Sequence, residues 1–158
     1  MDINVLSESI KDALATDTSI STWSQAVYGR AHKLYVNADV RDLPAEDDCP
    51  YIAFYPSRKK AGHAVIYKEH GFIITSCIYD DASRINPEGN IIEYLGVSRL
   101  EDFRKLVENA LAAMDIGNAL LNTVDIEYET IEFFPFMLVV MDIGIGGVHI
   151  AIGENPME

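Results

Sequence analysis

The chain has 158 residues, 49% of them apolar and 23% charged, with a formal net charge of −13. That balance specifies one globular domain with a sizeable core and excludes a disordered chain. It also leaves out three other classes: no apolar run reaches the ~18 residues of a membrane span, two cysteines make no disulfide scaffold, and the start MDINVLSESIKDALA lacks the basic flank of a signal peptide.

A cytoplasmic address follows as the expectation, with Cys49 and Cys77 as free thiols. The charge is uneven, since residues 101–158 hold 11 of the 25 acids and 2 of the 12 bases. Tight binding of a nucleic-acid backbone needs clustered Lys and Arg. This chain has the opposite sign, which favours solubility and self-repulsion instead.

Ile3, Leu6, Ile10, Ala13 and Leu14 recur at helical spacing and predict a helix over 2–16. Asp17-Thr18-Ser19 interrupts it, and Ile20, Trp23, Ala26 and Val27 predict a second short helical segment ending at Gly29. HKLYVN at 32–37 predicts a brief strand, followed by a polar loop as far as Cys49. Pro50 opens the strand YIAFY, since proline is tolerated where no ladder N–H is needed. Arg58-Lys59-Lys60-Ala61-Gly62 reads as a charged loop. It leads into a strand-like run from His63 to Asp81, with Gly71 as a candidate bulge or bend.

Asn86-Pro87-Glu88-Gly89 has the residues of a type I turn and predicts a hairpin projecting between Ile85 and Ile91. Ser98 and Glu101 have capping-box spacing. Leu100, Phe103, Leu106, Val107, Ala110, Leu111 and Met114 then define one face of a long helix. Arg104, Lys105, Glu108 and Asn109 fall on the other face, and Gly117 suits a left-handed stop. Val124, Ile126 and Tyr128 alternate with Asp125, Glu127 and Glu129 as in a half-buried strand. FFPFMLVVMDIGI is apolar almost throughout, so its strand is expected to be covered on both faces or to meet another subunit, with a turn or bulge at Pro135.

The order of elements specifies an α+β domain over 1–143. Its expected form is one mixed, mostly antiparallel sheet, an N-terminal helix and a long central helix on one face, and a projecting hairpin. A glycine-rich, irregular tail is expected over 144–158.

Chemistry is thinly signalled. Glu46, Asp47 and Asp48 beside Cys49 disfavour a thiolate, and they lack the spacing of a metal site or an EF-hand loop. They read as a solvated strand entrance. His32, His63, His70 and His149 show no metal spacing and read as surface or half-buried structural residues. The glycines from Gly144 lack the GK[ST] and the strand–glycine–helix order of a phosphate loop. No catalytic residue, cofactor or metal is assigned. Arg58, Lys59 and Lys60 form the only basic cluster, either a solvated loop or a contact to an acidic surface. Phe133, Phe134, Phe136 and Met137 pose the same choice between core and interface.

CPYIAFYP at 49–56, KEHGFIITSCIYD at 68–80 and RLEDFRKLVENALAAM at 99–114 stand in an order that resembles the tail terminator (tail completion) proteins of long-tailed bacteriophages and prophages. The resemblance is one of pattern and covers roughly residues 3–142. It implies a non-enzymatic virion protein without cofactor that caps the tail tube as a hexameric ring. Such a ring ends tube polymerisation and offers the surface for head attachment.

The partners implied are other copies of the chain, the tube protein and a head connector or neck protein. DNA would pass through without specific binding, and no membrane is involved. The implied location is the host cytoplasm during assembly and then the virion tail. Arg58, Lys59, Lys60, Phe133, Phe134 and Phe136 are expected as subunit or tube contacts, and Asp125, Glu127 and Glu129 as an acidic lining. The hairpin at Asn86–Gly89 and the glycine-rich end depart from the family's compact pattern. Two alternatives stay open: a head–tail connector or neck protein of the same machinery, and a small cytoplasmic α+β enzyme or ligand-binding domain.

Overall fold

A computed structural model describes residues 3–38, 45–60, 67–114 and 122–148. Helix α1 (Ile3–Thr16) turns Leu6, Ile10 and Leu14 inward. The break before α2 (Thr18–Tyr28) is a single residue rather than three. The Asp17 carboxylate accepts the Ile20 N–H at 2.8 Å, so one N-cap starts the new helix at once. Gly29 ends it at φ +70°, a left-handed stop that glycine adopts without strain.

Five strands build the main sheet: β1 (Lys33–Val36), β2 (Tyr51–Lys60), β3 (Tyr67–Tyr79), and, after the central helix, β6 (Asn122–Phe133) and β7 (Phe136–Val148). Their order is β1-β2-β3-β7-β6. β1 runs parallel to β2 and every other pair is antiparallel, so the sheet is mixed and mostly antiparallel. Between β3 and the helix lies a separate two-stranded hairpin, β4 (Ser83–Ile85) with β5 (Ile92–Tyr94). The Gly89 N–H closes its turn on the Asn86 carbonyl at 2.9 Å.

The three helices share one face of the sheet. Phe54, Phe72, Ile74, Ile78, Met137, Val139, Met141 and Ile143 meet Leu6, Ile10, Leu14, Ile20, Leu100, Phe103 and Val107 there as one core. Trp23 of α2 stacks on Phe103 with ring centroids 5.0 Å apart. On the opposite face, Cys49, Tyr51, Ala53, Cys77 and Leu138 form a smaller cluster with Tyr35, Tyr79, Ile131 and Phe136 packed against it. The expected α+β architecture is the observed one.

Several local expectations change. Arg58, Lys59 and Lys60 are not loop: β2 continues through Lys60, paired with Gly71, His70 and Glu69. The register slips between Pro56 and Arg58, so the bulge lies on β2 and not at Gly71. The central helix α3 (Gly96–Ala112) starts before Ser98, whose hydroxyl donates to the Leu95 carbonyl at 3.1 Å, so the capping box does not form. α3 ends at Ala112 with Ala113 as its cap, and Gly117 lies outside the described residues. The irregular tail expected from Gly144 is strand as far as Val148, because β3 and β6 both pair with it there. Residues 149–158 lie outside the described residues. No helix among the described residues is long and apolar enough to cross a membrane.

Candidate functional site

The most unusual surface is apolar. All six strand positions of the β4–β5 hairpin are exposed. Ile85, Ile91, Ile92, Tyr94, Val97 and Phe134 are each more than half exposed. Two of them join the hairpin to the β6–β7 turn, since the Tyr94 and Phe134 rings meet edge to face at 5.4 Å. Contiguous apolar patches of this kind on a soluble domain mark interaction surfaces. The hairpin's own cross-strand support is the Arg84–Glu93 ion pair at 2.8 Å. An isolated two-stranded hairpin is marginal in water, so its position depends on what lies beneath it.

Beneath it is Asp80, at the end of β3. Its side chain is 2% exposed and accepts the Arg99 guanidinium of α3 at 2.8 Å. It also accepts the Tyr28 hydroxyl of α2 at 2.8 Å and the Ala82 N–H at 2.9 Å. The Asp80 N–H donates to the Pro135 carbonyl at 2.9 Å, which ties the β6–β7 turn to the same point. Burial pushes the Asp80 carboxyl up, but the hydrogen bonds from Arg99, Ala82 and Tyr28 outweigh it and hold it below the usual carboxylate range. Burial and the bond to Asp80 push the Tyr28 phenol up. One buried carboxylate therefore fixes two helices, the hairpin entrance and the turn under the apolar patch. Asp80 appeared in the sequence only as half of an Asp-Asp pair. The available signal was an acid ending an apolar strand with an arginine entering the next helix.

No family model and no curated protein matches this chain.

The residues singled out from the sequence fall in three places. Phe133 and Phe136 face each other across the two-residue turn, with Phe134 exposed at its tip. Phe136 is half-buried and meets Tyr79 edge to face at 4.9 Å, so it belongs to the small cluster more than to the surface. Asp125, Glu127 and Glu129 lie in β6 opposite Gly144, Asp142 and Val140, and Glu127 and Glu129 are exposed. Arg58, Lys59 and Lys60 end β2 on the far side of the sheet. The structure thus joins Phe134 to the hairpin and keeps the basic and acidic sets apart.

Cys49 and Cys77 are free, buried and face each other with Sγ atoms 4.0 Å apart. The hydrogen bond shared with Cys77, and then burial, push the Cys49 thiol up, which suits packing better than nucleophilic attack. Asp48 of the strand entrance is taken up by Lys33, whose hydrogen bond holds its carboxyl below the usual range. His32 bonds the Leu14 carbonyl through Nε2 at 2.8 Å, and His70 is fully buried rather than half-buried. His63 and His149 lie outside the described residues. Among the described residues no group of three His, Cys, Asp or Glu could hold a metal ion.

Proposed function

We propose that this chain is a structural protein of a phage tail that assembles into a ring on the tail tube, ends tube growth and receives the head. The observation that carries the reading is the exposed apolar patch of Ile85, Ile91, Ile92, Tyr94 and Phe134, held in place by buried Asp80. A rigid surface of that kind serves a lasting contact with another protein, where aromatic and branched anchors contribute most of the binding energy. The pattern shared with tail terminator proteins supplies the identity of the assembly and its hexameric order. The acidic balance after residue 100 suits a conduit for DNA, because a basic one would hold the backbone and stall it.

The test is light scattering behind size exclusion over a concentration series, with negative-stain images of the largest species. The expected result is a ring with a central hole, reduced to smaller species by Ile92→Glu or Phe134→Ser. A wild-type chain that stays monomeric throughout, and is indistinguishable from those variants, would overturn the reading.

A further inference from the structure

The sheet ends in two unlike edges. β6 is paired on one side only, by β7, over Asn122–Phe133. At the other end β1 covers β2 only from Tyr51 to Phe54, and the Asn37 N–H makes a last contact to the Phe54 carbonyl at 2.7 Å. Beyond it, the outer side of Tyr55–Lys60 has no partner strand among the described residues. Long open edges invite pairing with another chain, and proteins commonly blunt them with charge. Here each edge carries a single sign. Arg58, Lys59 and Lys60 are the charges of the open part of β2, and Asp125, Glu127, Glu129 and Glu132 are those of β6.

We infer that the basic edge of β2 in one copy docks against the acidic edge of β6 in the next, head to tail around the ring. This rests on the ring reading above. Like signs repel β2 from β2 and β6 from β6, so a two-fold contact through either edge is disfavoured and only the unlike pair remains. Direction agrees with this. β2 and β6 run opposite ways in the sheet, so a neighbour turned about an axis along the strands meets the edge antiparallel. Position agrees as well: Arg58, Gly71, Gly144 and Asp125 stand in one cross-strand row, so both charged segments lie at the same level and on the same sheet face. Pro56 has no N–H and the bulge follows it, so the contact consists of ion pairs over 58–60 rather than an unbroken ladder. The acids of β6 then serve the subunit contact instead of lining the channel.

Two measurements test this. In the first, Arg58→Glu/Lys59→Glu/Lys60→Glu and Glu127→Lys/Glu129→Lys are purified separately and then mixed in equal amounts. Each alone is expected to lose the ring and the mixture to regain it, because every contact in an alternating ring is then complementary. Rings formed by each variant alone, as by wild type, would remove the edge contact and leave the ring reading standing. The second uses the wild-type chain, half of it isotope-labelled, with a zero-length carbodiimide cross-linker. Links from Lys59 or Lys60 to Glu127 or Glu129 between labelled and unlabelled copies are expected, weakening with added salt. Rings without such links would overturn the inference; links without any ring would keep the edge contact and overturn the ring.

Discussion

The guanidinium carbon of Arg104 lies 4.4 Å from the centroid of the Tyr128 ring, joining the central helix to the outermost strand. The same guanidinium is 8% exposed and binds Glu101 through Nε at 2.9 Å and Nη2 at 2.6 Å, with Nη1 on Glu108. β6 is an edge strand with β7 alone beside it, so this contact is a second anchor for the strand on which the proposed subunit contact depends.

Removing the anchor therefore loosens β6 as well as α3. Arg104→Ala is expected to destabilise the chain by about 2 kcal/mol, from the lost paired hydrogen bonds and the lost cation–π contact. Arg104→Lys recovers less than half, because an ammonium cannot bind Glu101 in a two-pronged way. Tyr128→Phe is close to neutral, since the ring face remains. Urea unfolding of the three variants checks the ranking, and an Arg104→Lys variant as stable as wild type would refute the forked geometry.

Asp80→Asn tests the support beneath the apolar patch. The substitution leaves Arg99 and the Tyr28 hydroxyl without their charged acceptor, which costs about 3 kcal/mol at neutral pH for a buried pair. The folded carboxyl titrates below its unfolded value, so its contribution is complete above the unfolded pKa of about 4. It is lost as pH falls through the lower folded value. The gap between wild type and variant is thus expected to be constant from pH 8 to 6 and to close below about pH 4. A gap that persists unchanged in acid would assign the loss to shape and not to charge.

These two relationships also show where sequence reading stops. α1, the hairpin turn and most of α3 were legible because their signals are local: apolar residues at helical spacing, Asn-Pro-Glu-Gly at a turn. Arg104 was placed on the solvent side because periodicity ranks a residue by type, whereas its burial is set by Tyr128, which arrives from a later strand. Tyr28, Asp80 and Arg99 come from three elements and leave no spacing to find. Arg58–Lys60 looked like loop because three charges in succession do, yet β3 supplies hydrogen bonds along that whole length and the backbone follows them. The apolar patch was visible only in part: Phe134 was a candidate, and its union with Tyr94 was not.

Gly96, at the start of α3, offers a prediction in which two effects of opposite sign compete. A Cβ there would sit 2.7 Å from Met137 Sδ and closer still to Cε, with the Asp80 carbonyl at 3.4 Å. Replacing glycine by alanine in a helix ordinarily stabilises by up to ~1 kcal/mol. Overpacking a full core costs about 1–3 kcal/mol, at the low end here because the Met137 tip can move. Gly96→Ala is therefore expected to destabilise the wild type modestly. In a Met137→Ala background the obstruction is gone and the same change should stabilise. Denaturation midpoints of the four proteins give the coupling directly, and additive values would show that the two side chains do not compete for space.

The thiol pair gives the last prediction. Cys49 and Cys77 are 2% and 1% exposed, and the acids of Glu46–Asp48 precede Cys49. A thiol reagent needs both access and thiolate, and Cys49 has neither: its hydrogen bond with Cys77 and its burial favour the protonated form. In the native state both cysteines should react with an aromatic disulfide reagent on the order of a hundredfold more slowly than an exposed cysteine, through transient opening alone. The rate should climb with sub-denaturing urea as opening becomes more frequent, and both thiols should titrate at once after unfolding. A fast, urea-independent reaction of one cysteine would mean that the small cluster opens locally. The face of the sheet opposite the helices would then be a mobile surface rather than a second packed layer.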